Sequence, residues 1–253
     1  MSAEKTNHST SATIRSCTLP TIVMLSIFVL LLALPLSGQQ TYVTRFDAYG
    51  GYAFLDSPHV NLFENGFSTQ AGVRVRKWVS IGIDYSFAKG DLTITPDLLL
   101  PSLQASLGAQ LAALVAAKQI PATYTLSVPA HSTTQTFAFG PQLAYRHYSR
   151  VTLFLRPVFA GIIHETATPT PNPADPIATA IVAQLAPSGK KTDHVMFVGF
   201  GGGVDIIFNH HFSWRTQADL VYDHLFNDLL KDGRFTTRFS VGPAFNFGRN
   251  IAK

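Results

Sequence analysis

The stretch "WVSIGIDYSFAKG" at residues 78–90 alternates large apolar side chains (Val79, Ile81, Ile83, Tyr85, Phe87) with small or polar ones (Ser80, Gly82, Asp84, Ser86, Ala88). A period of two over this length is a β-strand with one buried face. Segments of the same kind recur at 45–54, 67–76, 79–89, 134–146, 151–164, 194–208, 213–223 and 235–247. Eight such strands restrict the chain to an all-β architecture and leave one question: what the apolar face meets. In a soluble sheet it meets a protein core and the polar face meets water. In a membrane barrel it meets lipid and the polar face is the inside.

The connections bear on the answer. Long ones are predicted at 55–66, 90–133, 165–193 and 224–234, and tight ones at 77–78, 147–150 and 209–212. Short turns at one end and long loops at the other match outer-membrane barrels, whose short turns are periplasmic. Each strand has the roughly 9–11 residues that a tilted strand needs to cross a bilayer. Pro141, Pro157 and Pro243 fall inside strands, where each removes a ladder hydrogen bond. "FAFGPQLAY" (137–145) and "FSVGPAFNF" (239–247) share one pattern, which predicts a repeated bulge or bend in the fourth and eighth strands.

The composition of the polar face separates the two folds. Parity sends Arg45, Asp47, Arg74, Arg76, Asp84, Arg146, Arg156, Asp205, Arg215, Asp219, Asp223 and Arg238 inward, seven arginines against five aspartates. Lys77, Lys118, Lys190, Lys191, Lys231 and Lys253 fall in turns, loops or the tail, with Lys89 at a strand end, and Glu64 and Glu165 are assigned to loops. A water-facing sheet is rich in Lys and Glu, whereas Arg and Asp pair compactly where charge is buried. The near balance predicts a closed ion-pair network in a barrel interior. The opposite parity carries Phe46, Tyr52, Phe67, Ile83, Phe137, Leu155, Ile163, Phe200, Leu220 and Phe245 outward, with aromatics collected toward both strand ends. Such banding is the pair of interfacial girdles expected of a barrel in lipid.

Ahead of the strands, Lys5 and Arg15 precede the 16-residue apolar run Thr21–Leu36, and small residues follow it before Gln39. That order predicts a cleaved export signal over 1–38 and a barrel over 39–253. Cys17, the sole cysteine, lies before the apolar run, so neither lipidation nor a disulfide framework is expected. A net charge of +4 without a Lys/Arg run argues against a nucleic-acid partner.

On this architecture the chain resembles the small outer-membrane β-barrel superfamily, typified by the OmpA transmembrane domain and OmpX. The resemblance covers 45–247 and rests on the signal, eight alternating strands, the polar lumen and the aromatic last strand. It implies an eight-stranded antiparallel up-and-down transmembrane barrel among outer-membrane lipids. It also implies a last strand ending in an aromatic that the barrel-insertion machinery reads. Phe245 and Phe247 match that feature, with Gly248–Lys253 trailing behind them.

Motifs for chemistry are weak. "GFGGG" (199–203) lacks the Gly-Lys-Ser/Thr ending of a phosphate loop and reads as room for bulky lumen neighbours. "HETAT" (164–168) lacks the second histidine of a zinc helix, and the adjacent His210 and His211 share a tight turn. "DHLFND" (223–228) gathers acids in a solvated loop. Ser86 and His164 are expected to point inward, and no catalytic, cofactor or metal residue is assigned. The long loops are more informative. Leu100, Leu103, Leu107, Leu111 and Leu114 recur at helical spacing in the first, and Ile177, Ile181 and Leu185 in the second. Two amphipathic extracellular helices must bury their stripes, against each other as a cap, or around an apolar ligand or a partner. The expected role is non-enzymatic: membrane integrity, surface contact or adhesion through the loops. A narrow conduit or binding protein for small apolar molecules and a lipid-modifying enzyme are the alternatives.

Overall fold

The computed structural model describes residues 39–230 and 234–251, and the expected signal segment 1–38 lies outside them. Eight strands form one closed barrel: β1 (Thr44–Ser57), β2 (Leu62–Arg76), β3 (Val79–Ile94), β4 (Val128–Tyr145), β5 (Val151–Pro169), β6 (Lys191–Ile207), β7 (Phe212–Asp223) and β8 (Arg234–Asn250). Each strand pairs antiparallel with its neighbour in sequence, and β8 returns to β1 through pairs such as Phe46–Phe247 and Phe54–Phe239. Two helices sit in the loops, α1 (Pro101–Ala116) after β3 and α2 (Pro176–Leu185) after β5.

Large apolar residues cover the outside. Ile83, Phe137, Phe139, Leu155, Val198, Phe200 and Leu220 are all exposed at mid-strand. Tyr52, Phe67 and Phe235 mark the loop end of this band, and Trp78, Tyr145, Phe208 and Phe245 the turn end. Inside, Asp84, Arg156, Arg215, Asp219 and Arg238 are buried on the alternate positions. A sheet with hydrocarbon outside and charge inside is stable only with lipid around it.

β3, β4, β5 and β6 run several residues into the predicted loops 90–133 and 165–193, and three further features depart from the expected strand map. First, 55–66 is not a long loop. β1 and β2 continue as a hairpin to the pair Ser57–Leu62, closed by a 3-10 turn at Pro58–Val60 and by Asn61 in the left-handed region (φ 51°). Leu55 and Leu62 face inward there, so the alternation runs on past the predicted strand end. Second, Glu64 and Glu165 belong to strands and point inward, accepting hydrogen bonds from Thr134 and Ser132 at 2.9 and 3.1 Å. Third, β5 carries a bulge between Val158 and Gly161 against β6. One extra residue reverses parity beyond it. Ile163, expected on the lipid face, is therefore buried at 1% exposure, Ile162 takes the outer face, and His164 stacks against His194 outside instead of pointing inward.

The two Gly-Pro pairs lie half a barrel apart. Pro141 remains paired with Ile81 on β3, while the β4–β5 ladder breaks between Phe139 and Leu143. Pro243 remains opposite Trp214 on β7, while no pair joins β8 to β1 between Val241 and Ala244. In each case the imide side of the proline faces the gap, where no N–H is needed. The preceding glycines allow the strands to close up: a Cβ on Gly140 would stand 2.6 Å from the Pro157 carbonyl oxygen, and one on Gly242 2.5 Å from that of Gly50.

Candidate functional site

The lumen is the first place to look for function, and its middle is full. Two charged knots occupy it. In the one nearer the turns, Arg215 grips Asp205 with two parallel bonds, Nε to Oδ1 at 2.7 Å and Nη2 to Oδ2 at 2.9 Å. Its Nη2 also reaches Asp47 at 3.4 Å, and its Nη1 donates to Gln70 Oε1 at 2.9 Å. The guanidinium centre lies 4.9 Å from the ring centre of Phe154 and 5.5 Å from that of Tyr49. Arg74 extends this knot downward, 3.6 Å from Asp47 and bonded to Thr44 and Asn246.

In the second knot, Arg238 bonds Asp84 at 2.7 Å and Asp219 at 2.7 Å, and Arg156 bonds the other oxygen of Asp84 at 3.0 Å. Gln70 and Gln217 join the knots: Gln70 Nε2 donates to Asp84 and to Gln217 Oε1, and Gln217 Nε2 donates to Asp219. Gly201 makes the space, because a Cβ there would overlap Asp219 at 1.8 Å. Facing strands supply opposite charges at matched heights, since the register pairs Asp205 with Arg215 and Asp219 with Arg238.

Two residues of the expected network stand apart from these knots. Arg45 is half-buried at the irregularity between Thr44 and Phe46 on the β1–β8 seam, and it makes no ion pair among the described residues. The shifted register takes it off the inward row. Asp223 is fully buried but sits at the loop end, accepting from the Leu225 amide and from Thr236.

Toward the loops the filling changes. Along the β4–β7 wall, Ala138, Val158, Ile163, Ala167, Phe197, Val221, Leu225 and Phe226 form one apolar cluster. Along the β2–β4 wall, Ser86 bonds Thr136 and Thr134 bonds Glu64. A cap lies beyond. Leu107 of α1 and Ala178 and Ile181 of α2 pack with Leu99, Leu126 and Val128, and Leu103, Leu111, Ile177 and Leu185 pack at the margin. Leu100 and Leu114 are not part of that cluster. Leu100 is the residue before α1, where its amide donates to the Leu229 carbonyl at 2.8 Å. The outer face of α1 carries alanines (Ala105, Ala109, Ala112, Ala113) with Ser102, Ser106 and Gln110 and no charge, so its polar side is weaker than the leucine spacing predicts.

Asp175 holds α2 in place. Its Oδ1 accepts from the Ile177 and Ala178 amides at the helix start, and Tyr124 donates to its Oδ2 at 2.7 Å. The Ala178 amide chiefly lowers the pKa of this carboxyl; desolvation opposes it, and Tyr124 and Ile177 lower it further. Desolvation first, and then the Asp175 bond and charge, push the Tyr124 hydroxyl up to about 12. Between the second helix, α2, and the barrel rim lies a cavity of about 80 Å³ walled almost wholly by carbon.

At the turn end, residues 39–43 cross the mouth. Gln40 donates to Thr152 Oγ1 at 2.8 Å and to the Tyr148 carbonyl at 3.0 Å on the far wall, while the Val43 amide is held by Asn250. A polar basin of about 480 Å³, lined by Arg74, Arg146, Asp205 and Asn246 among others, lies next to this strap. Arg146 thus faces the mouth, bonded to Gln40 and Thr152, and Arg76 is exposed at the turn. Among the described residues no group of three His, Cys, Asp or Glu side chains could hold a metal ion.

The β5 bulge and the apolar upper lumen escaped the sequence reading. Their one available signal was the Pro157–Phe159 region, where a proline inside a strand marks a possible change of parity.

An eight-stranded up-and-down barrel with an apolar band outside and paired charge inside has the architecture of a small outer-membrane β-barrel. No protein-family model matches the chain, and no curated protein matches it in sequence. Solved structures follow a similar backbone course. Neisserial surface protein A is 11% identical over 83% of this chain and 100% of its own, with a TM-score of 0.48. The outer membrane protein OprG from Pseudomonas aeruginosa is 8% identical over 84% and 100%, also at 0.48. Ail, the attachment invasion locus protein of Yersinia pestis, is 12% identical over 81% and 99%, at 0.41. What makes the chain a barrel of this class is its own closed sheet and the chemistry of its two faces.

Proposed function

We propose that the chain is a sealed, non-catalytic wall protein of the outer membrane that meets the outside through its helical cap. The observation that supports this is the filling of the lumen. The Arg215 and Arg238 knots occupy its middle, the Phe197–Ile163 cluster fills one wall above them, and the strap at Gln40 crosses the mouth below. Eight-stranded barrels have interiors just wide enough for side chains, so these groups leave no bore for a hydrated solute.

The test is reconstitution of the chain from residue 39 onward into planar bilayers and vesicles. The expected result is conductance no greater than that of bare lipid and full retention of glucose. A stable unitary conductance or a glucose leak would overturn the reading. A second reading, uptake of a small apolar molecule by the cap, is favoured by the carbon-walled cavity beneath it.

A further inference from the structure

We infer that the space between the barrel rim and the helical cap is a binding site for a small uncharged hydrocarbon. The inference goes beyond the sealed-wall reading and stands whether or not the lumen conducts.

The walls define the ligand. Ile94, Leu99, Leu126 and Val128 on the barrel side face Ile181 and Leu185 of α2 across the cavity. The ionisable side chains on its margin are already engaged: Glu165 accepts from Ser132, and Lys191 is paired with Asp228. A ligand therefore finds carbon surface and no group to neutralise a charge, and burying an unpaired charge is prohibitive.

Size sets the second limit. Apolar cavities stay dry and take up apolar guests; one of about 150 Å³ holds benzene or xenon. Here the volume is about 80 Å³. By that comparison it suits a xenon atom or a molecule of roughly three carbons without movement of the walls.

The void is also not what sealing alone would select. Unfilled volume inside an apolar cluster costs stability, and here it persists beside Ile181, Val182 and Leu185 of α2. The cap is tied down by few polar contacts. Tyr124–Asp175 holds α2, and the Leu99–Leu230 bridge with the Leu100–Leu229 bond holds the start of α1. Parting these local contacts admits a guest without opening the barrel ladder.

The test uses the chain from residue 39 onward in lipid nanodiscs, with ¹³C-labelled Ile, Leu and Val methyls read by NMR under xenon pressure. The expected result is a saturable shift at Ile181 and Leu99, while the lipid-facing Leu155 and Val198 respond linearly as xenon dissolves in the bilayer. Propane competes for the saturable response, and butyrate, of similar size but charged, does not. Ala186→Leu fills the cavity and abolishes saturation; Val182→Phe serves if that variant fails to fold. A linear response at Ile181 and Leu99, competition by butyrate, or saturation that survives in a folded, filled variant would each overturn the assignment.

Discussion

The middle of this barrel and its loop end are two solutions to the same problem of filling a narrow tube. In the middle, Arg215, Arg238 and Arg156 meet Asp205, Asp47, Asp84 and Asp219 with distances set bond by bond. At the loop end, Phe197, Ile163, Val158 and Val221 simply occupy volume. The charged solution is directional: each member is needed because a partner left behind is a buried, uncompensated charge. The apolar solution is tolerant of identity and sensitive to volume. A single tube thus carries a rigid, register-setting centre and a softer end, and the softer end is where a cavity and a cap are found.

The largest expected effect tests the directional half. Arg238→Leu takes from Asp219 its nearest cation and leaves Asp84 with Arg156 alone, and is expected to cost about 3–5 kcal/mol in urea unfolding from lipid. A cost under about 1 kcal/mol would mean that the knot relaxes like a surface pair. For the tolerant half, Ile163→Ala is expected to lose about 2–4 kcal/mol, and Ile163→Leu less than about 1.5 kcal/mol. If the two variants were equally damaging, shape and not volume would govern there too. On the lipid side, Ile83→Arg places a charge near mid-strand and is expected to cost about 2–4 kcal/mol, read as lost folding yield in vesicles.

The smallest effect belongs to the cap. Removing the helix-start acceptor with Asp175→Ala is expected to destabilise α2 by about 1 kcal/mol, seen as faster amide exchange at Ile177 and Ala178 with the barrel strands unchanged. The pH dependence has a definite sign. Because the Asp175 pKa is depressed, its contribution is full above the ordinary carboxylate value of about 3.9 and fades as pH falls through its own lower one. Tyr124 is raised instead, so its contribution is full below 10.0 and is lost as pH rises through about 12. Amide exchange in α2 that stayed flat across both windows would sever the cap from this pair.

Much of this was written in the alternation. Side chains two apart share a face, so β3, β4 and β6–β8 could be read with their lipid and lumen sides assigned, and the Arg/Asp row located the charged centre. The Gly-Pro repeat predicted a bulge or bend in β4 and β8; the ladders are interrupted beside both prolines, but β8 keeps its register and the extra residue at the other gap is on β5. What escaped were changes of phase. The bulge before Gly161 has no local signature beyond Pro157, yet it moves Ile163 inside and His164 outside. Arg45 left the inward row for the same kind of reason, at the irregularity beside Thr44. Within the loops, spacing found both helices but not their surroundings, since which leucines are covered depends on tertiary contacts that periodicity does not encode. Leu100 and Leu114 matched the period and missed the cluster.

The seam between β1 and β8 has a consequence in time. Thr44 pairs with Asn250 and Phe46 with Phe247, so the first strand waits for the last. Every other ladder joins neighbours in sequence, but this one is a search over the whole chain, and pairing of such distant segments is intrinsically slow. Until it is made, β1 and β8 are open edges in hydrocarbon, with unpaired backbone that lipid does not satisfy. Closure is therefore the step at which an incomplete sheet becomes a permanent one, and its rate sets how long the membrane must tolerate the unfinished form.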